Sequence, residues 1–244
     1  MLRRALAPLR TAFALTVVAL TTIVLGTYVI VLVKVRPHTR QVTPIMRLWG
    51  RIFLAVAGTR TTVEGIERID PSASYVFTGN HISNIDIPVI VRHLPVPVRF
   101  LAKKELFRVP VLGGAMSAIH IVKTDRQAGT AAHRVINTQV TRVVAAGISL
   151  VIYPEGTRSR DAEMKPFKKG AFRIAIENGL PVVPMTITGA DRVWHPGGKL
   201  IYGGTVKLVI HEPIPTEGMT TADIDGLRDR VRAIVADTYE RIRI

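Results

Sequence analysis

Thr11 to Val33 is 23 residues without a charge, rich in Val, Leu, Ala and Thr. A helix needs about 20 apolar residues to cross the hydrocarbon core, where backbone groups must bond within the segment. The run is longer than a signal-peptide h-region, and no A-x-A cleavage pattern follows it. We therefore expect an N-terminal membrane helix; the alternative is a buried helix of the globular domain. Arg3, Arg4 and Arg10 precede it and Lys34, Arg36 and Arg40 follow it, so the positive-inside rule leaves its orientation open.

Ile45 to Ala57 follows, with apolar Ile45, Met46, Leu48, Trp49, Ile52, Phe53 and Val56 at helical spacing. Arg47 and Arg51 share one face. This pattern predicts an amphipathic helix at headgroup level with Trp49 as interfacial anchor, or else a helix facing the core. Charge supports a membrane setting. Lys and Arg number 33 against 18 Asp and Glu, a net +15. No acid occurs before Glu64, so much of the excess sits beside the apolar segments. Lipid headgroups are thus favoured over nucleic acid as the anionic partner. The chain has no cysteine, which removes disulfides, thiolate–zinc sites and any cysteine acyl-enzyme.

From about Thr61 short apolar runs alternate with helical patterns. Strands are expected at Tyr75–Phe77, Val98–Ala102, Ile119–Val122, Ile148–Tyr153, Val182–Thr188 and Val206–Ile210. Helices are expected at Thr130–Ala146, Phe172–Asn178 and Thr221–Ile242, the last capped by Thr220 or Thr221. Alternation of this kind predicts an α/β layered architecture with a parallel or mixed sheet and flanking helices. The length suits one such domain plus an appendage.

Two polar stretches carry chemistry. In Asn80-His81-Ile82-Ser83-Asn84-Ile85-Asp86, five residues separate an imidazole from a carboxylate. Within one helix that spacing would not place them on one face. They meet only if His81 lies in a turn and Asp86 in the first turn of the next helix, which Asn80, Ser83, Asn84 and an early Pro88 favour. Asp86 then fixes the ring's tautomer and leaves the other nitrogen as a base. A capped turn with an incidental histidine is the plainer alternative. No G-x-S-x-G nucleophile elbow is present, which points to a substrate hydroxyl as nucleophile. The seven histidines are dispersed without metal-ligand spacing.

In the second stretch, an apolar run ends in Pro154-Glu155-Gly156-Thr157-Arg158-Ser159. A strand leading into a loop with glycine, hydroxyls and Arg158 offers N–H groups and a planar fork to a phosphate. A solvated turn is the alternative. Glu155 is expected to hold Arg158 or to contact a polar part of the substrate. Lys103 and Lys104 follow a strand, and Lys123 and Arg126 end another; each is a phosphate candidate or plain surface.

Taken in this order, the segments resemble one family: glycerolipid acyltransferases typified by 1-acylglycerol-3-phosphate acyltransferases. Asn80-His81 through Asp86 resembles the family's first block. Ala102-Lys103-Lys104-Glu105-Leu106 with Pro110 and Gly113 is similar to the approach to the second, where the family usually has Arg and this chain has Lys123, with Arg126 three residues on. Glu155-Gly156-Thr157-Arg158-Ser159 matches the third block, and Leu180-Pro181-Val182-Val183-Pro184 resembles the fourth.

The resemblance implies acyl transfer from acyl-CoA or acyl carrier protein to the hydroxyl of lysophosphatidic acid, with no cofactor or metal. His81 would be the general base and Asp86 its partner. Lys103 and Arg158 would grip the phosphate, with Glu155, Gly156, Thr157 and Ser159 shaping the pocket and Lys123 and Arg126 as further candidates. It implies residues 1–60 as membrane-anchoring helices and 61–244 as the catalytic domain. That domain is expected on the cytoplasmic side of the inner membrane, because activated acyl donors are cytosolic. Another lysolipid acceptor, or a non-catalytic basic membrane module, is the competing reading.

Overall fold

A computed structural model describes residues 5–37, 39–125, 129–159 and 163–243. The elements follow in chain order as α1 (Ala7–Val35), α2 (Val42–Val56), β1 (Thr59–Glu64), β2 (Val76–Gly79), α3 (Asp86–His93), β3 (Val98–Lys103), α4 (Leu112–Ala118), β4 (Val122–Thr124), α5 (Gly129–Ala145), β5 (Ser149–Ile152), α6 (Gly170–Glu177), β6 (Val182–Thr188), α7 (Ala190–Val193), β7 (Gly204–Ile210) and α8 (Ile224–Ile242).

Every residue of β2, β5 and β6 is buried. Burial on both faces is why these strands read as near-continuous apolar runs rather than as alternations. They form the middle of one seven-stranded sheet, ordered β1-β7-β6-β2-β5-β3-β4. All neighbouring pairs are parallel except β6 and β7. Successive side chains point to opposite faces. Phe77 and Val151 enter the core beneath α2 and α3, whereas Val76 and Leu150 enter the core beneath α6 and α8. The expected mixed α/β sheet with helices on both faces is therefore what the chain forms.

The connections leaving β2 and β5 diverge to opposite faces and opposite sheet halves. In open α/β sheets, the crevice beyond the carboxyl ends of the strands at such a switch point is the usual ligand site.

Several elements depart from the sequence reading. Strand β4 begins only at Val122. Ile119 ends the unanticipated helix α4, His120 turns with φ +61°, and the Ile121 N–H donates to the Met116 carbonyl. A helix closed by a positive-φ residue takes up the apolar residues that the strand pattern claimed. Strand β1 was also not anticipated: TRTTVE is polar, but alternate residues are half-buried beside β7.

Helix α1 extends past both ends of the apolar run, with mean hydropathy 2.4 and only 6% of its apolar window buried. By length and composition it suffices to cross a membrane. Its few buried contacts are specific. The Thr11 hydroxyl accepts from the Ile201 N–H at 2.8 Å. Gly26 lies so close to Val111 that a Cβ there would come within 3.1 Å.

Helix α2 takes the core-facing option. Trp49 donates to the Thr22 hydroxyl of α1 at 2.9 Å and packs edge-on against Phe53. A Cβ at Gly50 would stand 2.9 Å from the Pro88 carbonyl, so α2 lies close against α3. Arg47 donates to the Leu94 and Pro95 carbonyls that follow α3.

Candidate active site

Strand β2 stops at Gly79, and the chain turns through residues 80–85 into α3. Asn80 holds the turn to β6: its side chain donates to the Ile187 carbonyl at 2.8 Å and accepts from the Ile187 N–H at 2.9 Å. Ser83 donates to the Trp194 carbonyl and accepts from the Ile85 N–H. Asp86 then falls at the first position of α3.

One Asp86 oxygen, Oδ2, accepts three bonds. They come from His81 Nδ1 at 2.7 Å and from the Ile82 and Ser83 N–H groups at 2.9 Å each. A carboxylate that accepts from His81 Nδ1 holds a proton on that nitrogen and leaves Nε2 as the ring nitrogen not engaged by Asp86. Asp86 is fully buried, while 11% of the His81 side chain remains exposed. Outside molecules therefore reach the pair only through the imidazole.

The second stretch closes around the first. The register Phe77↔Val151 carries four residues further, setting His81 beside Glu155. The His81 N–H donates to Glu155 Oε1 at 2.7 Å, and the Ser159 N–H donates to the His81 carbonyl at 2.9 Å. The loop thus grips the histidine backbone from both sides. Glu155 also accepts from the Lys165 N–H at 3.1 Å. Its carboxyl is pushed up to about 7 by burial, against the pull of those two donors and with the nearby Asp86 charge adding to the rise. Its expected role of holding Arg158 is not what the contacts show; it holds the backbone of His81.

Gly156 adopts φ +74°, and a Cβ there would stand 3.1 Å from Lys168 Nζ, so glycine suits the turn on both counts. Thr157 is exposed and Arg158 half-buried, with Arg158 Nε buried and unpartnered among the described residues. Ser159 donates its hydroxyl to the Glu163 carbonyl.

Tyr153, at the end of the strand expected over Ile148–Tyr153, lies flat on the His81 ring, centroids 3.9 Å apart and planes 9° from parallel. Its hydroxyl is buried without a hydrogen-bond partner among the described residues. Burial and the Asp86 charge raise its pKa well above the ordinary phenol value.

The cations divide. Lys103 is exposed at the carboxyl end of β3, the strand beside β5, and so lies on the same sheet edge as Arg158. Lys104 is paired with Asp125 at 2.6 Å. Lys123 places Nζ 4.7 Å from the centre of the Phe107 ring. Arg126 lies outside the described residues.

A family model described as acyltransferase matches residues 60–188, more than half of the chain and the whole of this site. The chain belongs to that acyltransferase family.

The acyltransferase is 31% identical over 192 residues to human 1-acyl-sn-glycerol-3-phosphate acyltransferase beta, covering 79% of this chain and 69% of that protein. It is 31% identical over 188 residues to the Cocos nucifera 1-acyl-sn-glycerol-3-phosphate acyltransferase, covering 77% of this chain and 60% of that one. It spans only 49% of a Brassica napus chloroplastic relative. The crystal structure of the 1-acyl-sn-glycerophosphate acyltransferase PlsC from Thermotoga maritima superimposes with a TM-score of 0.84 at 25% identity, over 98% of this chain and 97% of that one.

Proposed function

We propose that this acyltransferase moves a fatty acyl group from acyl-CoA or acyl carrier protein to the sn-2 hydroxyl of 1-acylglycerol-3-phosphate, giving phosphatidic acid. The observation that carries this reading is the His81–Asp86 pair, joined at 2.7 Å through Nδ1 with the imidazole as its only exposed side chain. The names of the relatives and of the Thermotoga maritima structure support the same substrate.

The acceptor hydroxyl sits at His81 Nε2. As its oxygen attacks the thioester carbonyl, Nε2 takes the proton and Asp86 stabilises the imidazolium. The tetrahedral intermediate collapses, breaking the C–S bond. The departing thiolate takes the proton back from the imidazolium, leaving ester and free thiol. No acyl-enzyme forms, in keeping with a chain that has no cysteine and no nucleophile elbow. Arg158 and Lys103 hold the acceptor phosphate from neighbouring strand ends, with the fork of Arg158 suited to two phosphate oxygens. Lys123 stands on the same edge as a further phosphate ligand.

Residues 1–60 serve as the membrane-anchoring element and 61–244 as the catalytic domain, which works on the cytoplasmic face of the inner membrane, where activated acyl donors are made. The test is complementation of a strain conditionally lacking its lysophosphatidate acyltransferase. The intact chain should restore growth and His81→Ala should not. Membranes given labelled donor and a panel of acceptors should acylate lysophosphatidate in preference to unphosphorylated or other lysolipids. Rescue by His81→Ala, or indifference to the acceptor phosphate, overturns the reading.

A further inference from the structure

At the β1 flank of the sheet, on the same edge as His81 but three strands from β2, lies a polar recess of about 170 Å³. Arg10, Arg60, Tyr202 and Thr205 line it, over a floor that includes Gly58 and Gly203. Two arginines, a tyrosine and a threonine are among its lining residues, with the Arg10 guanidinium against Gly58 and Gly203, and no carboxylate is among the lining residues described. The nearest acid along β1, Glu64, is engaged by Lys207 at 2.6 Å.

The recess is built rather than incidental. Arg10 is held by donating to the Tyr202 carbonyl. Gly203 has φ +68°, and a Cβ there would stand 2.9 Å from the Gly58 carbonyl and 3.0 Å from Arg10 Nη1. A side chain would fill the space that the glycines leave open.

Its surroundings indicate where the anion comes from. Arg10 projects from the first turns of α1, between Leu6 and Phe13, which lie one turn before and after it and are exposed to 43% and 59%. Leu9 is exposed to 72%. A guanidinium emerging from a bare apolar helix flank is the arrangement of a cation at the depth of a lipid headgroup, with acyl chains along its stem.

We propose that this recess binds the phosphate of an anionic membrane phospholipid, as a headgroup site separate from the acyl acceptor's. Two arginines against one phosphate give the fork geometry and charge such a group selects. Occupancy would pin the start of α1 to the sheet edge at headgroup depth, with the His81 opening facing along the same edge.

The full-length chain in zwitterionic phosphatidylcholine nanodiscs is the test system. Because the chain lacks cysteine, Thr62→Cys on the exposed side of β1 accepts a single environment-sensitive fluorophore near the recess. Doping the discs with phosphatidylglycerol should give a saturable response. Arg60→Gln, whose exposed side chain holds no other contact among the described residues, should weaken it roughly tenfold, and Arg10→Gln likewise. The control Arg36→Gln/Arg40→Gln, which removes two positive charges at the far end of α1, should leave it within about twofold.

Equal weakening by the control pair would mean general surface electrostatics and overturn the site. A response to inorganic phosphate or to coenzyme A in undoped discs, equal to that for the lipid, would assign the recess to a soluble anion and overturn the lipid assignment. Absence of any saturable response overturns both. The readout is binding, so it stands or falls apart from the chemistry proposed for His81.

Discussion

Tyr153 stacks on His81 with ring centres 3.9 Å apart and nearly parallel planes. The imidazole is thereby fixed twice, in its plane by Asp86 and across its face by the phenol ring. The Tyr153 hydroxyl has no partner among the described residues, so the contact depends on the ring alone. Tyr153→Phe should retain activity within about twofold and hold or gain stability, since the substitution removes the desolvation penalty of a buried unpaired hydroxyl. Tyr153→Leu should lower kcat by roughly 3–10-fold, the worth of an aromatic pair, and alter the pH profile of kcat. Steady-state rates of the two variants from pH 6 to 9 decide it. Equal loss in both would show that the hydroxyl, not the ring, matters.

Asp86 separates chemistry from architecture. In Asp86→Asn the carbonyl oxygen can still accept from His81 Nδ1 and the Ile82 and Ser83 N–H groups, with the new NH₂ in the unpartnered place of Oδ1. The fold and tautomer should survive, but the charge that stabilises the imidazolium is gone. We expect kcat to fall roughly 10²–10⁴-fold with little change in urea midpoint. Asp86→Ala orphans the donors as well and should also cost about 2–4 kcal/mol of stability. An active Asp86→Asn enzyme would count against a charged partner for the base.

Glu155 makes stability depend on pH. Its carboxyl is pushed up to about 7 from an ordinary value of 4.5, first by burial. Between those values the folded protein keeps a proton that the unfolded chain releases. The wild type is therefore favoured below pH 4.5 and loses that advantage as pH rises through about 7. The loss amounts to about 3 kcal/mol at most. Glu155→Gln does not titrate, so its stability relative to wild type should improve as pH is raised. Urea unfolding of both proteins in detergent across this range checks the slope, and parallel curves would refute it.

Gly79 ends β2 one residue before Asn80. A Cβ there would come 1.9 Å from the Met185 carbonyl of the neighbouring β6. Gly79→Ala must part the two strands that Asn80 joins, costing roughly 2–4 kcal/mol and displacing His81. Gly147 has φ +68° but nothing within 4 Å of a Cβ, so Gly147→Ala should cost only the backbone strain, about 1–2 kcal/mol. Thermal unfolding ranks the pair, and transfer activity should fall only in Gly79→Ala.

Composition and pattern alone determined a good deal. An uncharged 23-residue run can bury its backbone only as a helix, and buried central strands show as apolar runs because both faces lie in the core. His81 and Asp86 were legible as a pair because a turn followed by a helix start brings residues five apart together by local geometry.

The tertiary structure decided everything that depends on strand pairing and packing. Glu155 became the clamp on His81, and Tyr153 its stacking partner, only because β2 and β5 are neighbours in register across some seventy residues of chain. Trp49 turned inward to Thr22, His120 ended a helix where a strand was expected, and Arg10 met Tyr202 nearly two hundred residues away. Local propensity carries no information about such distances; they follow from which apolar faces bury one another best.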